Sequence, residues 1–144
     1  SKYLRKKYFS HPYFNYKVYC VKYRKKISSI FVTRKINYNN SNALLIVDFL
    51  GNQNDLVQIG NYFYSNLNNY SCEYITFLEH GISNTLMKKT KFKLINSVKD
   101  KTIIPIYFSP FISKNITIRY FADNIEKNYW IFKADGDQDR PNEL

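Results

Sequence analysis

The sequence predicts a mixed α/β domain whose sheet is mostly antiparallel, with a central pair of parallel strands and flanking helices. Residues 43–50 form a nearly unbroken apolar run of strand length, as expected for a strand covered on both faces. A second strand, predicted at 72–78, is parallel to the first if the intervening helix crosses over in the usual right-handed way. That helix is indicated by apolar residues at helical spacing: Leu56, Ile59, Phe63 and Leu67.

Length and composition favour one sheet-rich domain. The 144 residues fit the usual size of a single domain, and we assign residues 1–144 to one. The chain has 14 Tyr and 11 Phe but only 4 Gly and 4 Pro, which is typical of a sheet-rich globular domain rather than of disorder. Because it begins at Ser1 rather than Met, we also consider it a fragment of a longer protein.

In the amino-terminal half, residues 2–9 predict a short helix. Strands at 13–22 and 27–36, joined by a charged turn, predict a β-hairpin. A polar loop at 37–42 is expected to lead into the central strand. The helix that follows that strand is expected to end at Asn69.

In the carboxyl-terminal half, Ser83 or Asn84 is expected to cap a short helix that runs through Lys91. Pro105 interrupts a later strand, which argues for an edge position or a bulge. The remaining strands are predicted at 92–98, 102–108, 116–122 and 129–133.

Positive charge is concentrated in the first third of the chain. No acidic residue precedes Asp48, and the cations before it equal the whole formal excess of +11: Lys2, Arg5, Lys6, Lys7, Lys17, Lys22, Arg24, Lys25, Lys26, Arg34 and Lys35. A basic face of this kind binds phosphates, nucleic acid, anionic lipid or an acidic partner domain, or is simply a solvated surface.

The two cysteines predict a reducing compartment without a metal site, and the hydropathy predicts no transmembrane segment. Cys20 and Cys72 have neither CxxC spacing nor a nearby His, so no metal site is predicted and a reducing, cytoplasmic compartment is expected. No apolar run approaches the roughly 20 residues that cross a bilayer, so no transmembrane segment is predicted.

Several phrases distributed along the chain sharpen the fold prediction: H-P-Y-F-N-Y, I-V-D-F-L-G, F-L-E-H-G, I-I-P-I-Y-F-S-P-F and K-A-D-G-D-Q-D-R-P-N. Together with the order of elements, they resemble the GNAT acyl-CoA N-acyltransferase fold. In particular, they look like the carboxyl-terminal GNAT-like half of bacterial proteins found among surface-polysaccharide genes.

The resemblance implies transfer of an acyl group from acetyl-CoA or another acyl-CoA to an amine acceptor. Such acceptors include an amino sugar or a nucleotide-linked sugar that is a precursor of a cell-surface polysaccharide. A backbone N–H near Phe49 or Leu50 is implied to polarise the thioester carbonyl. Tyr107 is implied to protonate the leaving thiolate. The implied pyrophosphate-binding turn consists of Gly51, Asn52, Gln53, Asn54 and Asp55.

A second hypothesis follows from the same resemblance. In related two-lobed transferases that build peptidoglycan cross-bridges, one GNAT-like lobe lacks the cofactor site and serves structure or acceptor binding. This chain has a single glycine in the turn where typical members have two spaced ones, so it is an alternative candidate for such a lobe, with an upstream GNAT-like domain as its partner. A basic nucleic-acid-binding module ranks third, because no nucleic-acid motif accompanies the charge.

Three polar positions are candidates for chemistry. Asp48 lies near the carboxyl end of the central strand, where desolvation favours a general base, although accepting hydrogen bonds from the adjacent turn is an equal alternative. His80 follows the next strand at the same edge of the sheet and either accepts a proton from the amine or bonds the backbone of its turn. The acidic tail, which includes Asp135, is predicted to pair with the basic first third rather than to bind a metal.

Overall fold

A computed structural model of the chain describes residues 2–38, 40–95, 99–104, 114–115, 120–121, 123 and 129–136. It contains a four-stranded sheet and a two-stranded sheet. The larger sheet has the order β1-β2-β3-β4, made of Tyr16–Tyr23, Lys26–Tyr38, Ser41–Gly51 and Tyr74–Phe77. The smaller one pairs β5 (Glu79–His80) with β6 (Ile131–Phe132) in antiparallel register.

Helices and helical turns connect and cover these strands. An amino-terminal segment, residues 2–9, combines α1 (Lys2–Leu4) with a π-helical turn (Arg5–Phe9). Helix α2 (Asp55–Asn66) connects β3 to β4 and continues into a 3₁₀ turn (Leu67–Tyr70). Helix α3 (Asn84–Met87) follows β5, and a 3₁₀ turn (Lys133–Asp135) follows β6. Within the described ranges, no helix is long and apolar enough to cross a membrane.

The mixed sheet confirms the general fold class predicted from the sequence. Strands β1, β2 and β3 are antiparallel neighbours, whereas β4 runs parallel to β3, with Ala43 opposite Tyr74 and Ile46 opposite Phe77. Helix α2 supplies the predicted crossover between the two parallel strands. The apolar run at 43–49 is buried throughout, because both faces of β3 are covered.

Each face of the sheet has its own apolar cluster. Helix α2 packs Leu56, Ile59 and Phe63 onto the first face, which we call the helix face. The sheet contributes Phe31, Leu44, Ile46 and Phe49 to that cluster. On the opposite face, Tyr8 of the amino-terminal segment packs with Val32, Leu45 and Val47. The amino-terminal segment is therefore part of the core rather than a separate extension.

The polar stretch 37–42 was predicted as a loop, and that prediction is wrong. Strand β2 continues to Tyr38 and β3 already begins at Ser41, so the two strands form a tight hairpin. Asn40 has φ of 64°, a left-handed conformation that asparagine tolerates well. The Asn37 side chain also donates to the Asn42 side chain across the two strands at 2.9 Å.

The hairpin predicted from 92–98 and 102–108 does not form in its described parts, 92–95 and 102–104. The Asn115 side chain accepts a hydrogen bond from Ile104 N at 2.9 Å and donates to Thr102 O at 2.7 Å. A side chain thus takes the backbone groups that a neighbouring strand would use. The rest of that hairpin and most of the strand predicted at 116–122 lie outside the described residues, and of the strand at 129–133 only Ile131–Phe132 is extended and paired.

Candidate functional site

The end of β3 is the part of the fold where the sequence places a ligand. Pairing between the two parallel strands stops at Ile46 and Phe77, while β3 continues to Gly51. The last residues of β3 therefore pair with β2 alone among the described strands. Helix α2 begins four residues after β3 ends, which confirms the predicted strand, turn and helix.

A β-bulge in β3 determines where Asp48 points. Val32 of β2 lies opposite Asp48 and Thr33 lies opposite Ile46, so Val47 has no residue opposite it. The extra residue breaks the strict alternation of side chains, and both Val47 and Asp48 meet the face covered by Tyr8. The bulge thus directs the Asp48 carboxylate away from α2 and toward the amino-terminal segment.

The Asp48 carboxylate is enclosed by groups that bind it. Asp48 is only 3% exposed to solvent. The Tyr8 hydroxyl donates a hydrogen bond to Oδ2, and the N–H of Phe49 donates to Oδ1 at 2.8 Å. The Lys7 ammonium lies 3.7 Å from Oδ2. We call Asp48, Tyr8 and Lys7 the Asp48 cluster.

The pKa values of all three residues of the Asp48 cluster are raised, each by a different balance of burial and neighbouring groups. Burial raises the pKa of Asp48 above its ordinary value, although the Tyr8 hydroxyl and the Lys7 ammonium partly oppose that shift. Burial, followed by the hydrogen bond to Asp48, also raises the pKa of Tyr8, so its phenol stays protonated. Burial lowers the pKa of Lys7, but the hydrogen bond to Tyr3 and the Asp48 carboxylate outweigh it, and the net shift is upward.

The carboxyl-terminal part of the chain closes over the same cluster. Phe132 packs on the helix face, whereas Ala134 packs on the opposite face. Beside β3, the chain therefore crosses from one face of the sheet to the other within two residues. The next residue, Asp135, lies 3.5 Å from the Lys7 ammonium and accepts a hydrogen bond from Phe132 N at 2.9 Å. The predicted pairing of the acidic tail with the basic first third is confirmed for Asp135, and the tail from 137 onward lies outside the described residues.

Backbone N–H groups in the turn from Gly51 to Asp55 donate hydrogen bonds to other groups of the protein. Asn52 N donates to Ser28 O at 3.3 Å, and Asn54 N donates to the Asn52 side chain at 3.1 Å. Asp55 N donates to Asn52 O at 3.0 Å. The N–H groups that the resemblance assigns to a pyrophosphate are thus engaged at three of the turn's positions.

Asp55 has a structural partner on β2. Its side chain is buried at 7% exposure and accepts a hydrogen bond from the Ser29 hydroxyl at 2.7 Å. The carboxylate therefore ties the start of α2 to β2. With a buried carboxylate at the helix start and its neighbouring amides engaged, the turn as it stands does not fit the pyrophosphate of an acyl-CoA.

The other predicted site residues do not join Asp48. His80 is exposed, and its Nε2 lies 2.7 Å from the hydroxyl of Tyr120, whereas the partners of Asp48 are Tyr8, Lys7 and Phe49. Glu79 bonds the backbone instead, because its Oε2 accepts from Ile82 N at 3.1 Å, and burial raises the pKa of its carboxyl. Tyr107 lies outside the described residues. Within the described ranges, no group of three His, Cys, Asp or Glu side chains is placed to hold a metal ion.

Sequence reasoning missed Tyr8 and Lys7, which meet Asp48 across some forty positions of the chain. One signal was present: Leu4 and Tyr8 are four residues apart, the spacing at which two side chains share a helix face, and both contribute to the cluster on the opposite face. That spacing indicates an apolar side to the segment but does not identify Asp48 as its partner.

Comparison with known proteins gives no relative. No protein-family model, no curated protein and no solved structure matches this chain at a significant level. The geometry of the site and the local resemblance of the sequence are therefore the basis for a functional proposal.

Proposed function

We propose that this chain is a GNAT-like lobe that binds an acceptor molecule or a partner domain and does not itself transfer an acyl group. The GNAT-like part of the proposal is supported by the order of elements: a hairpin, a long strand, a helix and a strand parallel to the long one. It is also supported by the end of pairing between the parallel strands at Ile46 and Phe77, beyond which β3 continues to Gly51.

The observation that carries the non-catalytic part is the burial of the Asp48 carboxylate among its partners. A general base needs a free lone pair that faces the amine it deprotonates. Asp48 instead accepts from Tyr8 and Phe49, lies beside Lys7 and is almost completely buried. In this geometry, an acceptor amine does not reach the carboxylate.

The same hydrogen bond also occupies a second group that acyl transfer needs. The resemblance implies that a backbone N–H near Phe49 or Leu50 polarises the thioester carbonyl. The Phe49 N–H already donates to Asp48 Oδ1. Together with the engaged amides at Asn52, Asn54 and Asp55, this supports a lobe in which these groups have a structural use. Binding of an acceptor or partner then depends on its surface rather than on this interior cluster.

A second candidate, an acyl-CoA-dependent N-acyltransferase acting on an amino-bearing cell-surface precursor, is favoured by one specific observation. Asp48 combines a raised pKa with a position on a bulge, two residues beyond the last paired residue of the parallel strands on β3. Bulges and perturbed carboxyl groups are both frequent at catalytic sites. This candidate requires the amino-terminal segment to move away from Asp48, so that an acceptor amine can reach the carboxylate.

The two candidates differ in a turnover assay. We expect the chain, incubated with acetyl-CoA and amino sugars, to release no more free CoA thiol than the same mixture without protein. Release of CoA that Asp48→Asn and His80→Ala both abolish would support the acyltransferase and contradict the non-catalytic lobe. Asp100→Asn, a change at a carboxylate of a different turn, is the matched control for loss of one acidic charge.

A further inference from the structure

The turn between β1 and β2 carries a dense group of cations. Within residues 22–27, which we call the basic hairpin tip, the side chains are all exposed, and they include Lys22, Arg24, Lys25 and Lys26. Tyr23 is 67% exposed and Ile27 is 56% exposed. The tip therefore presents four positive charges, an aromatic ring and an aliphatic side chain to solvent.

The basic hairpin tip lies beyond the end of β3. Ser29 is opposite Gly51, the last residue of β3, and the strands β1 and β2 continue past that point to their turn. Asn52 N, just after β3, donates to Ser28 O and connects the hairpin to the turn before α2. The four cations thus stand at the carboxyl edge of the sheet, where open α/β sheets bind their ligands.

These charges are not neutralised by the part of the chain that the structure describes. None of the four cations forms an ion pair there, and the Arg24 guanidinium instead lies 5.4 Å from the centre of the Tyr23 ring. Asp55, the carboxylate of the turn before α2, is buried and bonded to Ser29. An anionic ligand would meet an uncompensated positive potential at the tip.

The backbone of the tip is strained to hold these residues. Arg24 has φ of 45° and Lys25 has φ of 69°, so two consecutive bulky residues adopt the left-handed conformation. Two-residue hairpin turns with this geometry strongly favour Asn-Gly, because those residues tolerate positive φ. Here the turn carries two cations in their place, at the expense of local stability, and strain of this kind is most often found at functional sites.

We infer that the basic hairpin tip binds a diphosphate group on the acceptor of the proposed lobe. A diphosphate offers several charged oxygens in a small volume, which suits an arginine fork and adjacent lysine ammonium groups. The exposed Tyr23 ring offers a face to a planar group attached to the diphosphate. The inference rests on the proposed function, because it identifies what the non-catalytic lobe binds.

The test compares ligand binding by two double variants that remove equal charge. Titration calorimetry with inorganic pyrophosphate and with ADP measures the dissociation constants of the unaltered chain, of Arg24→Asn with Lys25→Gly, and of Lys88→Gln with Lys89→Gln. The tip variant introduces the residues that its turn geometry favours, so it is expected to fold at least as well as the unaltered chain. Lys88 and Lys89 are exposed cations at the end of α3 and serve as the control.

We expect the tip variant to bind pyrophosphate about tenfold more weakly, as for the loss of two exposed ionic contacts, and the control variant to bind within about twofold of the unaltered chain. Tighter binding of ADP than of pyrophosphate, lost in Tyr23→Leu, would identify a nucleoside diphosphate. Equal weakening in both double variants, or no binding by the unaltered chain, would overturn the inference. Much tighter, steeply salt-dependent binding of an oligonucleotide at the tip would overturn it in favour of nucleic acid.

Failure of the inference and failure of the proposed function give different results. Acyl-CoA turnover by a chain that still binds pyrophosphate through the tip contradicts the non-catalytic lobe but leaves the diphosphate site standing. Loss of pyrophosphate binding in both double variants, without any turnover, contradicts the diphosphate site alone.

Discussion

Replacing Asp48 with alanine is expected to lower the free energy of unfolding by about 3 kcal/mol, because two buried donors lose their acceptor at about 1–3 kcal/mol each. These donors are the Tyr8 hydroxyl and the Phe49 N–H, and Tyr8 is itself only 3% exposed. Lys7 also loses the carboxylate that lies 3.7 Å from its ammonium. Urea-induced unfolding, followed by tryptophan fluorescence or circular dichroism, measures the change.

Asp48→Asn is the matched control, because the amide keeps an acceptor oxygen and nearly the same volume. We expect it to cost about 1 kcal/mol, the usual contribution of one hydrogen bond. Because burial raises the pKa of Asp48, stability from this group should be greatest below the ordinary carboxyl pKa of about 3.9 and fall as pH rises through the raised value. Asp48→Asn should lack that decline, and a stable Asp48→Ala variant would show that the cluster does not hold the fold.

Gly51→Ala is expected to destabilise the protein by about 3 kcal/mol, through backbone strain and a steric clash together. Gly51 has φ of 122°, and a Cβ there would lie 2.4 Å from Ser28 O and 2.7 Å from Ser29 Cα. Both atoms belong to backbone, which has no flexible end to move aside. The added methyl should push β2 away from the turn before α2 and shift the urea midpoint downward.

Asn52→Ala in the same turn separates the glycine effect from a general sensitivity of the turn. It removes the side-chain acceptor of Asn54 N and is expected to cost about 1 kcal/mol. Equal unfolding free energies for Gly51→Ala and the unaltered chain would mean that β2 and the turn are not in the close contact described above.

Local sequence patterns predicted the elements whose own hydrophobic pattern is enough to define them. The run at 43–50 and the spacing of Leu56, Ile59 and Phe63 correctly predicted β3 and α2, because burial on one or both faces determines those patterns. The parallel relation of β3 and β4 followed from the handedness of a helical crossover. These inferences needed no knowledge of distant contacts.

The contacts that decide the chemistry depend on residues far apart in sequence. Asp48 was identified as a candidate from its strand position, but its role depends on Tyr8, whose approach no periodicity reveals. The bulge at Val47 is likewise invisible in the sequence, since nothing in the run 43–50 marks Val47 as the residue without a partner on β2. The resemblance likewise placed Asp55 in a pyrophosphate-binding turn, and its contact with the Ser29 hydroxyl could not be read from the sequence.

Thermal unfolding of the chain with excess acetyl-CoA, ATP or inorganic phosphate tests the central claim most directly. A ligand at about 100 times its dissociation constant adds about 2.7 kcal/mol, which is a shift of several degrees for a domain of this size. If the lobe binds diphosphates through its surface and has no acyl-CoA site, acetyl-CoA and ATP should raise the unfolding temperature equally at equal concentration. A larger shift with acetyl-CoA than with ATP would contradict the claim and show that the turn from Gly51 to Asp55 opens to receive the CoA ester.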